Sequence, residues 1–497
     1  MHDGGRWPLA GGAGGASGGS GSAGSGAGGC WGAAGRQAAA WGAQRGLLVR
    51  APPAGPSGAA SGGGALLLAP APLALAPAPF PRAAFEGAIA LARPLNALVE
   101  AVSNNPEYLA QTLAPASAHD DFARRLLELH AEVRRRRGDA WLCERALGIH
   151  RSDYLLDEPS GRLLQVELNT IASSFGALAS RVAGLHRALA GRFPELGVPD
   201  PSAVPDNKAL EAIAEALAVA QGSYPAQDGL VLFVVQPGEG NVFDQELVRE
   251  QLWVEHGVCS ERRTLREVAA EARLDADGRL YLPGGHVSVV YFRAGYSPDD
   301  YPSEAEWDAR VTLELSDAFK CPSIQYHLAG AKKVQQDLAR PGVLEGFLPA
   351  DDAASVRECF AGLWSLDDPH ETITAAAIAG ALAAPEDYVL KPQREGGGNN
   401  LYGEALAARL RRTEGLGAFI LMQRIRPPVG RSVLMRGGQA SEEEVVSELG
   451  IYSTYVRSGG EVLLDSPAGH LLRTKVASSD EGGVAAGFAV IDSPRLI

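Results

Sequence analysis

"VLKPQREGGGNNLYGE", Val389 to Glu404, sets a lysine, an arginine and a glutamate directly before three glycines and two asparagines. Such a run gives up backbone entropy and buries little, so local stability does not account for it. Lys391 follows the short apolar pattern "YVL" and is expected at a strand end. Gly396, Gly397 and Gly398 leave backbone N–H groups that can approach an anion closely. No Gly-Lys-Ser/Thr follows, which excludes a Walker A loop. Two readings stand. One is the tip of a flexible hairpin. The other is a phosphate loop with Lys391 and Arg394 as cations and Glu395 as the carboxylate for magnesium.

Two further pairs bear on the choice. In "QVELNT", strand alternation puts Glu167 and Asn169 on one sheet face. A carboxylate and an amide oxygen so spaced are hard ligands suited to Mg²⁺, or simply a solvated strand face. In "HLLRTKV", Arg473 and Lys475 share a strand face. Two cations there repel unless an anion or solvent separates them, so the pair marks either an anion site or an exposed sheet edge.

The chain around these motifs has 497 residues, enough for two to four domains. Hydrophobic residues make up 46% and charged residues 21%, a globular balance. A net charge of −14 argues against a general binder of nucleic acid or anionic membrane. Cys30, Cys143, Cys259, Cys321 and Cys359 are scattered with no CxxC pair, which suits reduced thiols and a cytoplasmic setting. No run reads as a membrane span; "ALLLAPAPLALAPAPF", from Ala65, is broken by prolines and is expected to pack as an extended segment.

Residues 1–34 are rich in Gly, Ser and Ala and read as a disordered tail. The absence of Asp and Glu from Gly4 to Phe85, with arginines present, also resembles a plastid or mitochondrial transit peptide. Asp120 to Arg137 is expected to be a helix with Leu126, Leu127 and His130 at helical spacing, its arginine run a solvated face. "RLLQVELN" reads as a strand ending near Asn169. The helix after it carries Leu178, Val182, Leu185 and Leu189 on one face, with Ser174 as N-cap. From Gly229 the pattern is strand, loop, helix, strand. "GLVLFVV" has the fully apolar character of a parallel-sheet strand, and Phe243, Leu247 and Val254 are expected on one helix face. This points to an α/β chain divided as 35–228, a small α/β domain over 229–330, and 331–497.

"VELNTIASSFGALASR", "NVFDQ", "LAGAKKVQQDLARPG", the opening stretch, "SELGIYSTYVR" and "GHLLRTKVASSDEGGVAAG" together resemble the eukaryotic glutathione synthetases, from about Gly35 to the C-terminus. The resemblance implies an ATP-grasp fold with an inserted small parallel α/β substrate domain, and a homodimer. It implies ATP-dependent ligation of γ-glutamylcysteine to glycine through an acyl phosphate. By the same resemblance Glu167, Asn169 and Glu395 hold magnesium. Lys332, Lys391 and Lys475 contact phosphates, and the glycines 396 to 398, with Asn399 and Asn400, form a lid over them. Pro392, Gln393, Arg394, Tyr402, Met422, Gln423, Arg424, Ile425 and Glu481 fall at nucleotide positions, and Glu448 at a ribose position. Arg473, Lys391 and the lid glycines are the catalytic set.

Peptide contacts are implied at Arg151, Ile171, Ala172, Ser173 and Ser174. Others are implied at Glu239, Gly240, Asn241 and Gln245 after the first strand of the small domain, and at Arg293, Ala294, Gly295 and Tyr296 after the second. Ligands are expected at the carboxyl ends of strands in such sheets. The free N–H groups of the helix opened by the serines would suit a substrate carboxylate. Arg473, Val484 and Ala485 fall where glycine is joined. The chain departs from the family at Ala172, usually Ser; at Gly240, Arg in the animal enzymes; and at Ala294, commonly Asp. Gln423–Arg424 replaces a Glu–Lys pair and Glu481 replaces Asp. Two other functions suit the same motifs: a ligase using β-alanine or serine, against which Ala485–Ala486 stands, and a nucleotide-binding protein without turnover, against which the intact charge set stands.

Overall fold

The computed structural model describes residues 31–51, 67–142, 144–226, 228–394, 398–480, 482–484 and 487–497. Glu395, Gly396, Gly397, Glu481 and Ala485 therefore lie outside the described residues, as do Cys30 and Cys143.

The spine is a long antiparallel hairpin, Gln439–Ser458 with Glu461–Val476, set inside a seven-stranded sheet. On one side of the hairpin come Arg145–Asp157 and Arg162–Asn169; on the other come Ala489–Asp492, Leu73–Ala74 and Gly430–Arg436. The strand bearing Arg473 and Lys475 is thus flanked on both sides. That removes the exposed-edge reading of this pair.

The helix Gly176–Leu189 packs under this sheet, and Leu178, Val182, Leu185 and Leu189 are all buried in its core, as their spacing predicts. The proline-broken segment contributes Leu73, Ala74, Leu75, Ala78 and Phe80 to buried positions. A helix at Gly32–Ala43 begins inside the stretch expected to be a tail; Ala34 and Ala38 pack into the main core.

A second sheet is built on Leu230–Val234, which runs parallel to both Ser260–Arg263 and Gly285–Phe292; Phe319–Cys321 continues the parallel set. The helix Val242–His256 connects within it. Leu247 is buried there, but Val254 is 65% exposed and Leu252 takes the core position instead. The spacing placed Val254 half a face away from where packing puts it.

A third, antiparallel sheet of Leu363–Ser365, Phe419–Gln423 and Tyr388–Pro392 carries its own core with the helices Thr372–Ala383 and Gly403–Leu410. Beyond Pro392 the chain leaves this sheet and returns at Leu401, whose backbone pairs in both directions with Leu390, at 2.9 and 3.0 Å. The chain before and after the glycine-rich stretch therefore meets at Leu390 and Leu401. No helix among the described residues is long and apolar enough to cross a membrane.

Candidate active site

Between the main sheet and the three-stranded sheet lies a cleft of about 400 Å³. One wall comes from the main sheet and the other from the strands carrying Lys391 and Met422. One end is lined by Leu155, Val166, Val389, Met422, Ile425 and Val446, an apolar slot between two sheets that suits a flat base. The other end is crowded with charge.

Glu167 and Asn169 point into the charged end, as alternation requires. Lys332 Nζ lies 3.4 Å from the Glu167 carboxylate and donates to the Arg394 carbonyl at 2.8 Å. Lys391 Nζ donates to the Val166 carbonyl at 2.9 Å. Burial alone would push the Glu167 carboxyl up, but Lys332, Lys391, Arg473 and Arg151 outweigh it and hold the group down at about 2. Glu448 is pushed upward by burial, against the pull of Arg473, which it contacts directly.

Asp153 ties these groups together. Fully buried, it accepts from Arg151 on both oxygens, at 2.7 and 2.9 Å, and from Arg473 and the Asn169 amide, each at 2.9 Å. Gly450 lies across from it in the sheet. A Cβ on Gly450 would stand 2.6 Å from the Asp153 carboxylate and 2.8 Å from Arg151 Cδ, so the missing side chain makes room for the ion pair.

The Asn169 amide nitrogen is engaged by Asp153 and by the Arg151 carbonyl, which turns its oxygen out as the remaining ligand. An ionised carboxylate and an amide oxygen side by side fit a hard divalent cation.

From Asn169 the chain turns into the next helix through Ala172 and Phe175, the two non-glycine residues with positive φ (49° and 74°) among those described. Such backbone is costly and persists where the surroundings hold it. It brings Ser174 to the cleft, where its carbonyl receives Arg151 at 3.2 Å and Tyr452, and its hydroxyl receives Arg293 at 2.9 Å. Ser174 does not cap the helix. Phe175, at the N-cap position, has a left-handed backbone. The N–H groups of Phe175, Ala177 and Leu178 all donate to Asp244, at 2.9, 3.0 and 3.2 Å. Asp244 also takes Arg293 at 2.8 Å with both side chains buried. The helix N-terminus expected to meet a substrate carboxylate is filled by one of the protein's own.

Of the other expected residues, Arg151, Ile171, Ala172, Tyr296, Asn399, Asn400, Tyr402, Gln423, Arg424, Lys475 and Val484 also line the cleft. Gln393 lines a smaller adjoining cavity, about 60 Å³, and accepts from the Lys333 N–H at 3.0 Å. Pro392 ends its strand, and Gly398 has φ +77°. Ser173 is buried, its hydroxyl 3.4 Å from the Asn169 carbonyl.

Glu239, Gly240, Asn241 and Gln245 form a separate cluster that does not line the cleft. Glu239 accepts from the Asn241 N–H at 2.8 Å and from Gln245 at 2.9 Å, and Gly240 accepts from the Arg50 N–H. The Asn241 side chain is buried with neither polar atom hydrogen-bonded. Ala294 is buried, and Gly295 and Tyr296 donate backbone N–H groups to Asp300. Sequence reasoning missed Asp153, Asp244, Gly450 and the apolar slot.

The model of the eukaryotic glutathione synthase ATP-binding domain matches residues 33–496. A chloroplastic glutathione synthetase of Solanum lycopersicum is 50% identical over 86% of this chain and 78% of its own. Another from Arabidopsis thaliana is 45% identical over 86% and 79%. The Homo sapiens glutathione synthetase is 42% identical over 85% and 90%. Among solved structures, a glutathione synthetase-like effector of Globodera pallida in its apo form superposes with a TM-score of 0.71 at 22% identity, covering 94% of this chain and 96% of that one; it supports the fold alone. Matched over nearly its whole length and half identical to its tomato relative, the chain belongs to the eukaryotic glutathione synthase family of ATP-grasp ligases.

Proposed function

We infer that the cleft carries out the glutathione synthetase reaction, joining γ-glutamylcysteine to glycine with ATP as phosphate donor. The observation that carries this reading is the gathering of Lys332, Lys391, Arg473 and Arg151 about one ionised carboxylate, Glu167, beside an apolar slot. A carboxylate oxygen of the dipeptide attacks the γ-phosphorus, ADP leaves, and an acyl phosphate forms. The glycine amine attacks the acyl carbon, phosphate leaves, and the new amide nitrogen gives up a proton. Neither step needs a protein nucleophile. Both need compensation of moving negative charge and exclusion of water.

In this reading Lys332, Lys391 and Lys475 hold phosphate oxygens, and Arg473 steadies the acyl group where glycine attacks. The slot takes adenine against Met422 to Ile425, and Glu448 takes the ribose. Arg151, Ser174 and Arg293 hold the dipeptide. Glu167 and Asn169, with Glu395, would hold Mg²⁺, which would supply charge neutralisation between phosphate oxygens. Glycines 396 to 398 close over the acyl phosphate.

The test is an amine screen on the purified chain. With γ-glutamylcysteine, ATP and Mg²⁺, glycine should give one ADP per tripeptide and β-alanine or serine much less. ADP release without peptide, or preference for another amine, would reject the reading. Chelation with EDTA should abolish turnover and added Mg²⁺ restore it.

We further propose a homodimer, checked by sedimentation, and division of the chain at 35–228, 229–330 and 331–497, checked by limited proteolysis. Scattered cysteines without a CxxC pair support a reducing compartment, and the cytoplasm is the first reading. The acid-poor N-terminus and the chloroplastic names of the tomato and Arabidopsis relatives support plastid import as a second reading. A reporter fused to residues 1–34 separates the two.

A further inference from the structure

The smaller cavity beside the charged end of the cleft, about 60 Å³, shares Asn169, Ile171, Tyr296 and Lys332 with the cleft itself. Leu113, Phe122 and Leu126 give it apolar walls. Such walls alone would keep it dry. Its lining also includes three side chains that each carry a buried polar atom with no hydrogen-bond partner among the described residues. These atoms are the Thr170 hydroxyl, His327 Nδ1 and the Gln393 amide nitrogen.

Each of the three is held in place by something else. Thr170 is 2% exposed and packs against Gly330, where a Cβ would stand 2.3 Å from its hydroxyl oxygen; the bare glycine makes room for that oxygen. Gln393 is committed at its carbonyl, which accepts from the Lys333 N–H at 3.0 Å and leaves the amide nitrogen to find another acceptor. His327 is buried, and burial together with Arg310 holds its imidazole neutral, well below the ordinary value. A neutral Nδ1 accepts or donates according to tautomer. Buried polar atoms in folded proteins are paired with protein or with ordered water. A water site needs at least about 10–15 Å³ and two to four polar partners, so the cavity has both the room and the partners.

The three side chains come from three segments of the site. Thr170 directly follows Asn169. His327 lies in the short helix Ile324–Ala329, and Gly330 and Ala331 join that helix to Lys332. Gln393 follows the strand Tyr388–Pro392 and precedes Arg394, whose carbonyl receives Lys332. An expected metal ligand, an expected phosphate lysine and the start of the glycine-rich stretch therefore all border one cavity.

We propose that this cavity is a permanent water site, and that its waters bridge Thr170, His327 and Gln393 and so hold those three segments in register. It rests on the glutathione synthetase reading for what Asn169 and Lys332 bind. A bridging water is nearly as good as a direct hydrogen bond, and it lets three side chains too short to meet share one network. Thr170 and His327 are then positioning residues, acting on the metal and phosphate contacts through water.

The experiment begins with crystals of the full chain, without ligand and with γ-glutamylcysteine and MgADP. Both should show the same water density bonded to the three side chains, and xenon should not enter under pressure. Thr170→Val keeps the side-chain shape and removes the hydroxyl. It should weaken calorimetric binding of MgADP and raise the Mg²⁺ concentration for half-maximal turnover, each by about threefold to tenfold, with the KM for the dipeptide unchanged. Thr170→Ser should restore both. His327→Phe should act like Thr170→Val, and the double variant should lose less than the sum of the singles, because either change breaks the same bridge. Xenon in the cavity, the dipeptide's side chain in place of the water, additive singles, or unaltered MgADP binding in Thr170→Val would overturn the proposal. Failure of the parent to form tripeptide would count against the reaction assigned above, while the density and the calorimetric cycle would still decide the water site.

Discussion

Asp153 and Glu167 stand directly opposite each other on neighbouring strands, two carboxylates in one cross-strand pair. Like charges in that position repel. The pairing holds because Arg151 and Arg473 meet Asp153 while Lys332 and Lys391 lie near Glu167. The sheet thus gathers Arg151, Arg473, Lys332 and Lys391 around the carboxylates of Asp153, Glu167 and Glu448. On the reading proposed above, this charge meets the phosphates.

Glu167→Gln should therefore lose turnover on the order of 10²-fold while the fold survives. Its pH signature has a definite sign. The folded value, about 2, lies below the ordinary 4.5 of the unfolded chain, so Glu167 stabilises the fold above pH 4.5 and that contribution fades as pH falls toward 2. Urea titrations of parent and variant at pH 6, 4 and 3 should converge as the pH drops. A gap that widened on acidification would contradict the assignment.

Gly450→Ala tests the room left for the ion pair. The added methyl would press on Asp153 and Arg151, and overpacking of this kind costs about 1–3 kcal/mol. Because the displaced groups hold Arg473, the fall in kcat should exceed what the shift in melting temperature implies. Equal kcat with a lowered melting temperature would mean that the pair is structural only.

Asp244→Ala should destabilise by about 3–5 kcal/mol in chemical denaturation, since it leaves Arg293 buried without its partner. The same change strips the helix Gly176–Leu189 of its cap. Asp244→Asn keeps an acceptor and should cost less.

Gly398→Val addresses the loop. No atom of the described residues lies within 4 Å of a Cβ there, and the φ of +77° is the obstacle. A β-branched residue in that backbone is strained by about 1–3 kcal/mol. The melting temperature without ligand should be unchanged. Turnover should fall, and the ratio of ADP to tripeptide should rise above one as water reaches the acyl phosphate. A ratio of one at full turnover would leave the loop a mere turn.

Strands and helices whose burial follows their own period were legible in the sequence. Glu167 and Asn169 face the cleft as their alternation says, and the leucines of 176–189 are buried together. Asp153 and Asp244 were not legible. Each looks like an ordinary acidic residue until partners far along the chain arrive: Arg473, 320 residues from Asp153, and Arg293, 49 residues from Asp244. Ser174 misled for a related reason. A serine before an apolar helical run is a good local cap, but the buried carboxylate from another helix satisfies the same N–H groups better. Val254 failed because the helix rotates to pack Leu252 and Val248.

The pairing of Leu390 with Leu401 sets a limit on travel. The chain that leaves Leu390 returns to the same place at Leu401, after ten intervening residues. Half the fully extended contour of that stretch is only about 17 Å, which bounds how far its tip can stray from the pairing. On the reading proposed above, a segment pinned in this way can cover the cleft only within that reach. Lengthening the stretch by inserted glycines should leave the pairing intact while diluting the tip over a larger swept volume. The penalty should fall on the lifetime of the closed state and spare entry of ATP.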